Sequence, residues 1–176
     1  MRVPISPSAV LLMLLGMGCM PAAQAFTSTG NMDVSATIET ACSVSASPMA
    51  FGVVLPGVVK DAEAIVTAVC TSGTTYTLDL GDGLNHITTG GTGGQYRRQM
   101  ASAANRLPYI IYIDGTRATQ IDASAAGTLA YNNLLTSTVG NGLDQPVTIY
   151  GRVVGAESLA KVPGVYGDTV VVTIAF

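Results

Sequence analysis

The residues of this 176-residue chain best suited to covalent chemistry are a serine beside a lysine and a single histidine. Ser158 and Lys161 have the spacing at which a lysine on the next helical turn can deprotonate a serine nucleophile. That geometry needs a helix, whereas Pro163 and Gly164 follow at once and indicate a loop. We therefore expect Ser158 to be an exposed loop serine. No motif places a nucleophile beside His86, so a loop position is the favoured interpretation for it.

Ligands for metals and phosphate are also sparse. Asp79, Asp82 and Asn85 offer oxygen atoms at regular spacing, but the calcium-loop pattern and its closing glutamate are missing. The glycine-rich run at 90–94 lacks the Gly-Lys-Ser/Thr ending of a phosphate-binding loop, and no helix-forming stretch follows it. The sequence therefore predicts no cofactor, no metal site and no enzymatic activity. A small secreted hydrolase with paired carboxylates is kept as a distant alternative.

The N-terminus has the pattern of an export signal. Arg2 provides a positive charge, residues 9–20 form an apolar run, and Ala23-Gln24-Ala25 matches a small-x-small cleavage site. Twelve residues span only about 18 Å as a helix, too short for a bilayer core. We therefore predict a signal peptide at residues 1–25. Cleavage after Ala25 is favoured over lipidation at Cys19, because the residues before that cysteine fit a lipoprotein site badly.

Removal of this signal would leave Cys42 and Cys70 as the two cysteines of the mature chain. An even number of cysteines in an exported protein indicates a disulfide. The bridge would close a loop of about 29 residues and contribute about 3.5 kcal/mol on the chain-entropy model. A metal pair is disfavoured because the chain has one histidine and no Cys-x-x-Cys motif.

Composition excludes two broad classes of protein. Hydrophobic residues make up 48% of the chain and charged residues 11%, with a net charge of -3. This composition is unlike that of a disordered charged tail. Eight Lys plus Arg and a pI near 4.8 argue against a nucleic-acid partner. The length fits one domain.

The elements that would position any site are strands. Segments rich in Val, Ile, Thr and Tyr show the period of two that is typical of half-buried strands. They are separated by Gly, Asn, Asp and Pro clusters, and helix-like stretches such as Gln99–Asn105 are short. This pattern predicts an all-β antiparallel sandwich. The predicted strands are Met32–Ile38, Ala64–Cys70, Thr75–Leu80, Leu107–Ile113, Val147–Val154 and Thr169–Phe176.

The two outermost strands of this set are unusual. The last one would bury four alternate side chains and has no strand after it to pair with. If it lay at a sheet edge, it would expose unpaired backbone groups. The first one, with four alternate apolar residues after a flexible Ser/Thr/Gly lead-in, looks like a spare strand. The two sets are Val170, Val172, Ile174 and Phe176 in the last strand, and Met32, Val34, Ala36 and Ile38 in the first.

A missing strand and a spare strand in one chain permit strand addition between copies. Pairing of one copy's spare strand with the next copy's edge is head-to-tail and grows an open fibre. The alternative is that the first strand belongs to a complete sandwich and docks on its own sheet. The alternation of apolar residues fits both arrangements, so the sequence does not distinguish pairing between copies from docking within one chain.

The mature chain resembles the spore coat protein U family, which includes pilins of archaic (Csu-type) chaperone–usher pili. The resemblance covers almost all of 26–176 and depends on several blocks that occur in order. One departure is that many relatives carry Trp-Gly where this chain reads Gln120-Ile121-Asp122. The matching blocks are VSATIETACSVSA around Cys42, Met49-Ala50-Phe51-Gly52, VCTSGTTYTLDLG around Cys70, the segment from Leu107 to Asp114 with Arg117, Tyr150-Gly151-Arg152-Val153, and the ending VYGDTVVVTIAF.

The resemblance implies an immunoglobulin-like sandwich that lacks its final strand. It divides the mature chain into a donor-strand segment at 26–40 and a spore coat protein U (pilin) domain at 41–176. It implies a periplasmic chaperone, an outer-membrane usher and identical or related pilin subunits as partners, and a cell-surface pilus as the destination after the periplasm. The implied donor residues are Met32, Val34, Ala36 and Ile38; the implied acceptor and chaperone-binding edge is Val170, Val172, Ile174 and Phe176; the implied bridge is Cys42–Cys70.

We therefore expect a secreted structural subunit of an archaic chaperone–usher pilus, which polymerises by donor-strand exchange and serves surface attachment and biofilm formation. The alternative is a non-polymerising spore-coat or extracellular matrix protein with a complete β-sandwich.

Overall fold

The computed structural model describes residues 24–87, 98–121 and 132–176. It divides the chain into two units, Met1–Ala36 and Thr37–Phe176. In the first unit, residues 24–36 form neither helix nor strand, and their side chains are exposed. Residues 1–23 of the predicted signal peptide lie outside the described residues.

The second unit consists of nine described strands and one short helix. All of the strand pairings are antiparallel, as predicted from the sequence. Within the described ranges, no helix is long and apolar enough to cross a membrane. The elements are β1 (Cys42–Ala46), β2 (Lys60–Cys70), β3 (Thr75–Leu80), β4 (Gln99–Ser102), β5 (Asn105–Pro108), β6 (Ile110–Tyr112), β7 (Asn132–Val139), β8 (Gln145–Val153), α1 (Gly155–Ser158) and β9 (Val172–Ala175).

Two sheets and a hairpin arrange these strands. One sheet has the order β1-β2-β8-β6, the other has the order β7-β3-β9, and β4 pairs with β5. The period-two pattern explains the core, because alternate side chains of a strand point to opposite faces. Val66 and Ala68 of β2 and Leu78 and Leu80 of β3 are almost completely buried. The core therefore lies where the alternating apolar residues predicted it.

Several local predictions differ from the structure. Gln99–Asn105, described as helix-like from its sequence, forms β4 and the turn into β5, with Ala103 at a φ of 51°. The predicted strand Leu107–Ile113 is divided at Tyr109 into β5 and β6. Strands β1 and β7 and helix α1 were not predicted. These elements are short or irregular, and pairing with distant strands decides their conformation more than their own periodicity does.

Candidate strand-acceptor groove

Strand β9 is the edge strand of the three-stranded sheet. It pairs with β3, from Thr77 opposite Ala175 to Leu80 opposite Val172, and has no second sheet neighbour in the described part of the chain. The pairing continues before β9, because the Gly81 amide donates to the Val171 carbonyl at 2.8 Å. One side of the segment is thus held firmly by β3. An edge strand offers the backbone groups of its other side for pairing with a further strand.

The predicted acceptor residues occupy this segment, with one exception to their predicted burial. Val170, Val172 and Ile174 are half-buried and pack against the core. Phe176 follows the end of β9 and is 61% exposed. The prediction that all four side chains share one buried face is therefore wrong for Phe176, because β9 ends before that residue.

Strand β1 faces β9 as the edge strand of the other sheet. It pairs with β2 alone among the described strands, and the two edge strands β1 and β9 lie next to each other. Below them a cavity of about 410 Å³ opens between residues 46–49 and the segment 166–170. Leu80, Ile111 and Ile149 contribute core side chains to its wall. The gap between the two sheet edges is thus lined mainly by apolar side chains.

A second cavity of about 600 Å³ lies beside the first, between residues 49–56 and residues 161–166. The two cavities share four lining residues, Met49, Phe51, Met100 and Tyr166. We refer to the two cavities with the flanking edges of β1 and β9 as the acceptor groove. Its mostly apolar lining and its position between two sheet edges suit an extended peptide better than a compact polar ligand.

The middle of the groove depends on a glycine in β8. Met49 and Phe51 pack directly over Gly151, in the space that a Cβ at this position would occupy. The Phe51 ring also meets the Tyr109 ring edge-on, with 6.0 Å between the centroids. Gly151 thus allows the segment after β1 to lie close to the core.

A hydrogen-bonded aspartate, Asp168, fixes the groove wall just before β9. The Tyr109 hydroxyl donates to Asp168 Oδ2 at 2.6 Å, and the Asn85 backbone amide and side-chain Nδ2 donate to Oδ1 at 3.2 and 3.1 Å. Burial, and then the hydrogen bond to this carboxylate, raise the pKa of Tyr109 well above its ordinary value. Gly83, at a φ of 85°, lies against the same carboxylate. Neither Tyr109 nor Asp168 was identified as a site residue from the sequence.

The predicted donor residues lie in an exposed stretch. Residues 24–41 form no strand, and the exposed fractions of Met32, Val34 and Ile38 are 84%, 83% and 86%. The alternation of Met32–Ile38 predicted a strand, but a strand requires a hydrogen-bonded neighbour. Four alternate positions, three of them bulky apolar side chains, are therefore presented to solvent.

The C-terminal end of the exposed stretch, residues 39–42, is bound to the end of β2. A disulfide joins Cys42 and Cys70, as predicted. The next residue, Thr71, donates through its hydroxyl to the Glu39 carbonyl at 3.2 Å and accepts from the Ala41 amide at 3.1 Å. Residues 39–42 are thereby held at the end of the domain where β2 ends and β3 begins.

Ser158 and His86, the residues considered for catalysis, both lie within hydrogen-bond distance of backbone groups. Ser158 is buried at the end of α1, not exposed in a loop as predicted; it accepts from the Gly57 amide at 3.0 Å and donates to the Gly155 carbonyl at 2.8 Å. His86 Nδ1 lies 2.7 Å from the Gly83 carbonyl. Across the described residues no group of three His, Cys, Asp or Glu could hold a metal. The glycines at 90–94 lie outside the described residues.

A buried arginine was also missed from the sequence. Arg98 is 3% exposed and donates to the carbonyls of Gly81 and Ile121. Ile121 is buried, and its amide donates to the Ile111 carbonyl at 2.8 Å. This chain thus closes the core at that point with an isoleucine. No local signal in the sequence marks Arg98 as buried, because its acceptors come from distant segments.

Together these features define the class of protein: an antiparallel sandwich with an apolar groove between β1 and β9, the two strands that lie at sheet edges among the described strands. The Spore Coat Protein U domain model matches residues 28–173, so the chain belongs to the Spore Coat Protein U domain family. The chain is similar to "Protein U" of Myxococcus xanthus, with 32% identity over 167 residues that cover 88% of each protein.

Among solved structures, the chain is similar to the CsuC–CsuE chaperone–tip adhesion subunit pre-assembly complex from archaic chaperone–usher Csu pili of Acinetobacter baumannii. The TM-score is 0.53 at 22% identity; the match covers 80% of this chain and spans 40% of the length of the matched chain. At this identity the likeness concerns the fold. It confirms the predicted incomplete immunoglobulin-like sandwich.

Proposed function

We propose that this protein is an exported subunit of an archaic chaperone–usher pilus, which polymerises by donor-strand exchange and serves surface attachment and biofilm formation. The observation that carries the proposal is the apolar groove between β1 and β9, each of which is a sheet edge among the described strands. Membership of the Spore Coat Protein U domain family supports it.

The donor and acceptor segments match in length. Met32–Ile38 and Val170–Phe176 each span seven residues, about 20 Å in extended conformation, and each places an apolar residue at every second position. An inserted donor strand would give β9 its second neighbour, while Met32, Val34, Ala36 and Ile38 would face the groove. Burial of each larger side chain contributes roughly 1.5–3 kcal/mol.

The fold also favours one direction for the donor strand. Residues 39–42 are rooted near Cys70, at the end of the domain where the β3–β9 pairing reaches Ala175. A donor that runs antiparallel to β9 leaves at the opposite end, through the cavity between residues 49–56 and 161–166. The donor strand inserted from another copy then leaves the domain at one end, and residues 39–42 of the acceptor chain lie at the other end. This arrangement is head-to-tail and extends without closure.

The partners and the route follow from this assembly. The predicted signal peptide at 1–25 would direct export, 26–40 would be the donor segment, and 41–176 the pilin domain. A periplasmic chaperone would cover the groove before assembly, since exposed edges aggregate. An outer-membrane usher would exchange the chaperone for an identical or related subunit. The similar solved structure is itself a chaperone–subunit complex, which supports the chaperone as a partner.

The alternative, a non-polymerising coat or matrix protein with a complete sandwich, requires Met32–Ile38 to pair as a strand within a single chain. The exposure of Met32, Val34 and Ile38 and the absence of a strand between residues 24 and 41 favour the polymerising form.

The test is Val34→Asp in cells that express the chain with its own chaperone and usher. Protein sheared from the cell surface is separated in detergent, unheated and boiled. We expect the natural chain to give a ladder at multiples of the mature mass that collapses on boiling, because donor-strand contacts dissociate slowly. Val34→Asp would place a carboxylate in an apolar groove and should abolish the ladder.

The matched control is Ser35→Asp, which adds the same charge on the other face of the donor segment and should leave the ladder intact. A ladder of normal yield from Val34→Asp would refute the proposal. So would a single monomer band from folded, oxidised natural chain in both lanes; this second result would favour the coat or matrix alternative.

A further inference from the structure

Every methionine after the predicted signal peptide lies in the proposed donor segment or in the acceptor groove. The chain has seven methionines, and residues 26–176 contain three of them: Met32, Met49 and Met100. Met32 is a proposed donor residue, and both Met49 and Met100 line both cavities of the groove. Since methionine is unbranched and adaptable, it suits a surface that must pack against more than one strand.

Met49 and Met100 border the groove space. Both residues are half-buried and pack against the edge of the core, and the Met49 sulfur lies over Gly151 beside Phe51. A bound strand would cover both side chains. Oxidants would therefore reach these sulfur atoms more easily in a subunit whose groove is uncovered than in one that has a strand bound.

We propose that Met49 and Met100 are oxidation sites, and that their conversion to sulfoxides by hydrogen peroxide makes the groove unable to bind a strand. The proposal rests on the strand-acceptor function given above. In each reaction the peroxide O–O bond breaks and one oxygen atom bonds to sulfur. The sulfur is oxidised by two electrons, the peroxide is reduced by two, and water leaves.

The effect follows from the polarity of the product. A sulfoxide carries a strong hydrogen-bond acceptor, and the neighbouring groove residues Leu80, Ile149 and Phe51 offer apolar side chains. Covering this oxygen with an apolar donor strand would leave it without a hydrogen-bond partner. We expect strand binding to weaken by at least about tenfold. Because methionine sulfoxide can be reduced by methionine sulfoxide reductases, the change is reversible.

The experiment uses the full mature chain with an intact disulfide and Met32→Leu, so that the donor segment itself cannot be oxidised. The probe is a fluorescein-labelled peptide of residues 26–41 with leucine at position 32. Its dissociation constant is measured by anisotropy before and after peroxide treatment, and mass spectrometry assigns the sulfoxides. The comparison variant adds Met49→Leu and Met100→Leu, which nearly preserve side-chain volume.

Oxidation should weaken peptide binding at least about tenfold in the chain that retains Met49 and Met100, and less than about twofold in the comparison variant. Treatment with both methionine sulfoxide reductases should restore binding, and this reversal does not depend on the folding of the variant that also carries Met49→Leu and Met100→Leu. Equal binding before and after treatment, with both sulfoxides present, would overturn this inference alone. Resistance of Met49 and Met100 to peroxide that oxidises Met32 of the natural chain would also overturn it. Failure of the untreated chain to bind the peptide would overturn the proposed function, and this inference with it.

Discussion

The hydrogen bond between Tyr109 and Asp168 should determine how firmly the groove wall is held before β9. We predict that Tyr109→Phe destabilises the folded chain while its fold is preserved, because the substitution removes only the hydroxyl. The natural hydroxyl donates to Asp168 Oδ2 at 2.6 Å from a residue that is 5% exposed. Asp168 keeps two hydrogen bonds from Asn85 in the variant.

A hydrogen bond to a charged group contributes about 1.5–3 kcal/mol. Asp168 is only half-buried, so water can replace part of the lost bond, and we expect about 1.5–2 kcal/mol for Tyr109→Phe. Asp168→Ala also removes both Asn85 bonds and leaves the buried hydroxyl without its acceptor, so it should cost about 3 kcal/mol. In the double variant the two effects should not add, and the coupling should be about 1.5–2 kcal/mol.

The same contact predicts a pH dependence. The pKa of Tyr109 is raised in the folded state, so at alkaline pH the unfolded chain loses this proton before the folded chain does. Stability from this residue is therefore complete below the unfolded pKa of about 10 and declines as pH rises above it. The advantage of the natural chain over Tyr109→Phe should shrink by about 1.4 kcal/mol between pH 7 and pH 11.

Both expectations are measurable by urea unfolding of the oxidised mature chain at 25 °C. At pH 7 the natural chain is compared with Tyr109→Phe, Asp168→Ala and the double variant. At pH 11 the natural chain is compared with Tyr109→Phe and Asp168→Ala, and the contributions of the other tyrosines cancel in each difference. A Tyr109→Phe effect below about 0.5 kcal/mol, or an identical effect at both pH values, would contradict the interpretation of this contact.

Two further predictions concern stability. Gly155→Ala should destabilise the folded chain by about 1–3 kcal/mol, because the new Cβ would meet the backbone of Gly57, which cannot easily move aside. Gly167→Ala is the control and should change stability little, because nothing lies within 4 Å of its Cβ. Thermal unfolding distinguishes the two variants, and equal melting temperatures would contradict this prediction. Replacement of both Cys42 and Cys70 by serine should cost about 3.5 kcal/mol on the chain-entropy model and lower the amount of exported subunit; unchanged urea midpoints and yields would contradict this expectation.

Much of the fold was predictable because strand periodicity is a local property. Thr75–Leu80 was predicted with the bounds that β3 has, since turn residues flank it and its alternate side chains are apolar. The disulfide was predictable from cysteine number and export alone. Gln99–Asn105 was not predictable, because its residues have no clear period and its conformation depends on the pairing of β4 with β5.

The candidate site was predictable only in part. The proposed donor and acceptor residues were identified from their alternation and from the resemblance to the family. The sequence placed Phe176 on the buried face, but β9 ends at Ala175, and Phe176 is exposed. Arg98 and Ser158 are polar residues that a local pattern assigns to the surface. They are buried because carbonyl and amide groups of distant segments surround them.

By itself, the sequence determined which segments have a clear strand periodicity, which faces of them are apolar and which cysteines pair. These properties depend on neighbouring residues and on composition. Only the tertiary structure decided that β1 and β9 are the edges of two different sheets, and that Asp168, Tyr109 and Gly151 shape the groove between them. The physical reason is that strand order and side-chain packing depend on contacts between residues far apart in the chain, and a local period carries no record of such contacts.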